Sequence, residues 1–250
     1  MSSTSETGHA KNVANFKDLI TLCESFGSEY NPARDELKIP ELQTLLASSE
    51  ASLQSVNSLL PAFNTAVAVK NKAFNPLQKL STRLLAAFAA SGTHKGEINS
   101  VATLAKKLKG EKKYLPKTNN PILPGSIGGA TVQEKPPISQ SQMSMDMQVE
   151  NFNKMIEVLA ANKNYKPNEN ELKVATLKTM ATQLKTLSEA VVLAEGPVLA
   201  ARSSRNKVLY DHDKGMLAIA ADVKKYIKSI YGARSPQYKR LTAMRFTAVS

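Results

Sequence analysis

One short motif occurs twice in this chain, and the second occurrence restricts the fold more than any other feature. Tyr30, Pro32, Glu36, Leu37 and Lys38 return as Tyr165, Pro167, Glu171, Leu172 and Lys173, at a constant offset of 135 residues. The agreement runs both ways. Upstream, Asn15, Phe16, Leu19 and Ile20 match Asn151, Phe152, Met155 and Ile156, one residue out of step. Downstream, Leu42 and Leu45 match Leu177 and Met180, Pro61 falls beside Pro197, and Lys70, Asn71 and Lys72 match Arg205, Asn206 and Lys207. The simplest reading is a tandem duplication of a unit of roughly 95 residues, which is one ordinary domain each.

The content of each copy is helical. From Asn12, apolar residues fall at Val13, Phe16, Leu19, Ile20, Cys23 and Phe26, the spacing of one helix face, with Gly27 as a stop. The Tyr-x-Pro segment then turns the chain, because proline fixes φ and restricts its predecessor. A second helix starts near Pro40 and carries Leu42, Leu45, Leu46, Leu53, Val56, Leu59 and Leu60; its counterpart starts near Val174. A break is expected at Pro61 and at Gly196-Pro197, since Gly-Pro is a poor pair inside a straight helix. The third stretch ends at Gly92 and Gly232, and a short terminal helix follows in each copy. With no Trp and only 6% aromatics, the core must be built mostly from aliphatic side chains, which suits helix packing.

The predicted fold class is therefore all-α, with two similar antiparallel helical bundles. Residues 1–11 form a loose tail, 12–110 the first bundle, 111–147 a Pro- and Gly-rich linker and 148–250 the second bundle. No hydrophobic leader is visible and no apolar run approaches eighteen residues, so the chain reads as cytoplasmic, without a membrane partner. Cys23, the single cysteine, cannot form an internal disulfide and reads as a core thiol.

Catalytic patterns are thin, and the chain reads as a non-enzyme with no metal and no cofactor. The histidines His9, His94 and His212 are scattered, and Asp211, His212 and Asp213 are neighbours that a helix would point about 100° apart. No phosphate-cradling glycine loop and no nucleophile elbow is present. Charge is the better lead. Residues 148–250 carry 17 Lys/Arg against 9 Asp/Glu, a net of +8 out of +12 for the whole chain. Arg202, Arg205, Lys224, Lys225, Lys228, Lys239 and Arg240, interleaved with Tyr226, Tyr231 and Tyr238, make a candidate surface for nucleic acid or an acidic partner. The competing reading puts the tyrosines in the core and the lysines on a solvated reverse face.

The run His9–Phe16, the paired Tyr-x-Pro turns, the entry Ser141 to Ser144, the Arg202–Tyr210 pattern and Tyr226–Gly232 resemble a family of helical proteins from Bacteroidota-type bacteria. The resemblance covers nearly the whole chain, implies no activity and carries over no functional residue. The expected function is that of a non-enzymatic interaction or structural protein, binding a protein partner or a second copy of itself. The alternative is a nucleic-acid-associated protein using the basic surface.

Overall fold

The periodicity of the first segment produces α1, Thr7–Glu24, in the computed structural model of the chain, which describes residues 7–110 and 144–248. There follow α2 (Ile39–Phe74), α3 (Leu77–Ala90), α4 (Lys95–Lys109), α5 (Met145–Ala161), α6 (Val174–Tyr210), α7 (Met216–Tyr231) and α8 (Pro236–Ala243). Among the described residues there is no strand, and the fold class is all-α. The expected tail is shorter than 1–11, because α1 already includes residues 7–11 and buries His9 at 5% exposure. The expected linker 111–147 lies outside the described residues as far as 143. Its last three residues belong to α5, whose start is capped by Ser144 accepting from the Met147 amide.

Both Tyr-x-Pro segments close in the same way. The Tyr30 hydroxyl donates to the Leu37 carbonyl at 2.6 Å, and Tyr165 donates to Leu172 at 2.8 Å. In each case the tyrosine is buried and the accepting residue ends a 3₁₀ turn, Asp35–Leu37 or Asn170–Leu172. An edge-on ring covers each tyrosine: Tyr226 on Tyr30 at 5.4 Å, and Phe88 on Tyr165 at 5.8 Å.

The expected break at the central prolines does not occur. α2 continues through Pro61 and α6 through Pro197. Each proline removes one ladder hydrogen bond and crowds the carbonyl four residues earlier. Both prolines sit on exposed positions, as do Asn57 and Leu193, so water reaches the affected residues. Gly196 eases the other half of the conflict, since it brings no Cβ against the proline ring. Along both helices burial recurs every seven residues. The series is Leu42, Ser49 and Val56 in α2 and Leu177, Leu184, Val191, Val198 and Arg205 in α6, the period of a supercoiled helix seam.

Unbroken helices change the domain organisation. The compact units are not 12–110 and 148–250. Unit 1 takes residues 1–64 and 193–250, and unit 2 takes 65–192. The core of unit 1 joins Val13–Leu42, from α1 to the start of α2, with Leu209–Leu241, from the end of α6 to α8. The core of unit 2 joins Phe74–Leu108 with Val149–Leu184. Every core thus draws on both halves of the sequence. A break at Pro61 would let residues 65–110 return onto α1; a continuous α2 delivers them to the other unit instead.

Candidate functional site

Mixing the halves redistributes the charge on which the sequence reading relied. Residues 193–250 carry 11 basic and 4 acidic side chains, but they fold with residues 1–64, which carry 4 basic and 8 acidic. Unit 1 is left at a net of +3, while unit 2, residues 65–192, holds +9. The basic end is therefore largely offset within its own unit.

The seven candidate residues do not form one surface. Arg205 is buried at 4% exposure, at a position of the seven-residue seam, and its guanidinium donates to the Asn206 side chain at 2.8 Å. Arg202 is half-buried one turn before it. On α7 the core side is set by Met216, Ile219, Ala220, Val223 and Ile227, which leaves Lys225 outward and Lys224 beside the seam. Lys225 pairs with Asp222 at 2.8 Å, and Asp222 also takes Arg34 at 2.6 Å, so two cations share one carboxylate. Both partners hold the Asp222 carboxyl below its ordinary range, Lys225 first. Only Lys228, Lys239 and Arg240 of the seven stand exposed without a printed structural task, the last two on the side of α8 away from buried Leu241.

The interleaved tyrosines are not stacking platforms. Tyr226 lies edge-on to Tyr30, and its hydroxyl accepts from the Asn31 amide at 3.1 Å. Tyr231 donates to Glu29 and tilts against Phe26 at 5.2 Å, and Tyr238 packs on the unit 1 core. All three face protein. The competing reading, with tyrosines inward, holds for the rings.

The other candidates resolve into structure. His212 sits in the turn between α6 and α7, not in a helix, and is almost fully exposed beside Asp213 at 2.9 Å. Asp211 caps that turn by accepting from the Asp213 and Lys214 amides. Gly215 is required there, since a Cβ would stand 2.5 Å from the Asp211 backbone. His94 caps α4 by accepting from Gly96. Among the described residues no three His, Cys, Asp or Glu side chains are placed to hold a metal ion. Cys23 is fully buried and burial pushes its thiol up to about 12, so the reactive thiolate is absent near neutral pH.

A polar seam beside α1 escaped the sequence reading. The segment after α8 leaves the helix and runs along α1 and α7 as far as the described chain goes. Asn12 grips Thr247 twice, donating to its carbonyl at 2.7 Å and accepting from its amide at 3.1 Å. Asn15, one turn on, donates to the Arg245 carbonyl at 2.7 Å. From α7, Lys224 donates to the Met244 carbonyl at 2.5 Å and stands 4.9 Å from the centre of the Phe246 ring. Burial lowers the Lys224 ammonium below the usual lysine range. Behind the segment, His9 Nδ1 and the Tyr210 hydroxyl meet at 2.6 Å. The available signal was Asn12 on an apolar helix face, next to Val13 and Phe16.

One exposed face remains without charge. In unit 1, α6 presents Leu193 at 77% and Leu199 at 54% exposure, with exposed Gly196, Pro197, Ala200, Ser203 and Ser204 around them. Glu195 is its single ionised residue between 193 and 201. No helix among the described residues is long and apolar enough to cross a membrane.

Against family models, curated proteins and solved structures, the chain finds no match.

Proposed function

We propose that this chain is a non-enzymatic helical interaction protein that associates with itself through the uncharged face of α6 in unit 1. One observation carries the reading: two large leucines stand in water on a face that has almost no charge to solvate it. In a chain of net charge +12, two copies repel wherever their charged surfaces meet. A neutral face is where they can approach without burying like charges. A tandem duplication whose copies contribute to both units is supported by the matched Tyr30 and Tyr165 closures and by the near-equal α2 and α6, 36 and 37 residues.

Sedimentation velocity over a concentration series tests the association. The native chain is expected to associate reversibly, and the double substitution Leu193→Lys and Leu199→Lys to weaken association about tenfold or more, with melting unchanged. A chain that stays monomeric at every concentration contradicts the reading.

A second reading, nucleic-acid association, is favoured by the exposure of Lys228, Lys239 and Arg240 alone. It requires binding that weakens with salt by about 0.7 to 0.9 log units per log unit for each phosphate contact. Reversing these three residues to Glu is expected to flatten that slope. Absence of binding at low salt removes this reading.

A further inference from the structure

We infer that the face shared by α1 and α7 in unit 1 is a binding site for an extended peptide segment with an aromatic residue, held closed by the chain's own residues 244–247. The inference goes beyond the association face and shares no residue with it.

The polar contacts are the first ground. Asn12, Asn15 and Lys224 bond to the backbone of Met244, Arg245 and Thr247, not to their side chains. Every peptide offers those carbonyls and amides, so recognition of this kind tolerates different sequences. Asn12 is the decisive residue, because a carboxamide carries a donor and an acceptor together and matches one residue's carbonyl and amide at once. A side chain serving only the packing of α1 would need no such pairing. The aromatic requirement comes from Lys224, whose ammonium has the Phe246 ring beside it.

The second ground is that the fold does not demand this arrangement. In unit 2 the helix that follows α3 is fifteen residues long, and Val101, Ala105 and Leu108 bury its face in the core that α5 shares. In unit 1 the helix that follows α7 has eight residues, and an extended segment covers α1 instead. Helix continuation is thus a workable way to cover that position. Unit 1 replaces it with a strip held by a few polar contacts and one ring, which is easily opened.

The occupant to which the site is assigned is a segment of a partner protein. Exchange of residues 244–247 between two copies would reproduce the same contacts while losing translational freedom, so it gains nothing. A foreign segment must compete with the tethered one, whose effective concentration is on the order of millimolar.

The experiment uses the full chain and a fluorescent peptide with the sequence of residues 242–248. Substitutions Phe246→Ala and Thr247→Pro loosen the resident segment, the second by removing the amide that Asn12 accepts. The loosened chain is expected to bind the peptide about tenfold or more tightly than the native chain, and Asn12→Ala added to it is expected to abolish the gain. A loosened chain with native helicity that binds no peptide, or binds equally well without Asn12, overturns the proposal. Should the loosened chain fail to fold, the native chain is irradiated with the same peptide carrying a photoreactive phenylalanine at the position of Phe246. Labelling of α1 or α7 near Lys224 supports the site, and labelling elsewhere or none overturns it.

Discussion

Replacing Tyr30 or Tyr165 with alanine is expected to lower the stability of the chain by about 3 kcal/mol each. Two losses combine. The ring leaves a void beneath its edge-on neighbour, Tyr226 or Phe88. The Leu37 or Leu172 carbonyl loses the hydroxyl that closed its 3₁₀ turn. Phenylalanine separates them, because it keeps the ring and removes only the hydrogen bond, at about 1 to 3 kcal/mol for a carbonyl left unsatisfied in a buried place. Denaturant melts of the four single variants measure both. The effects in Tyr30 and Tyr165 are expected to be alike, since burial and hydroxyl geometry nearly coincide. Alanine variants with unchanged melting would remove the structural role of the turns and return them to candidacy as ligand loops.

Much of this local architecture was legible in the residues. The Tyr-x-Pro spacing located both turns, the stripe from Val13 to Cys23 located α1, and Gly92 and Gly232 lie just past α3 and α7 with positive φ. Pro61 and Pro197 misled. Proline lowers the stability of a helix interior, but an exposed seam helix with water at the crowded carbonyl tolerates it, and local propensity does not report that setting. The error propagated, because where α2 ends decides which residues α1 can reach.

The basic site failed for a related reason. Linear charge density made residues 202–245 look like one surface, yet folding set them against the acidic residues of the first 64. Arg205 illustrates the point. Nothing in its neighbours marks it as buried, but counting sevens from Leu177 through Leu184, Val191 and Val198 arrives at it. Asn12 was equally readable in retrospect as a polar residue on an apolar stripe, whereas its partner, the backbone of Thr247, lies 235 residues away and carries no sequence signal.

The largest effect is expected from dividing the chain. The unit 1 core takes nine buried residues from the first half and seven from the second, and the unit 2 core takes eight and ten. Removing either half uncovers at least seven apolar side chains in one core. At about 1.5 to 3 kcal/mol each, that is on the order of 10 kcal/mol or more, as large as the whole stability of an ordinary domain. The direct measurement is the thermal melt of residues 1–110 and of residues 144–250, prepared separately and then mixed in equal amounts. Cores shared between halves require that neither piece melts cooperatively as a monomer and that the mixture regains a cooperative transition. Two pieces that each melt cooperatively as monomers, with nothing gained on mixing, would contradict shared cores and restore two self-contained bundles.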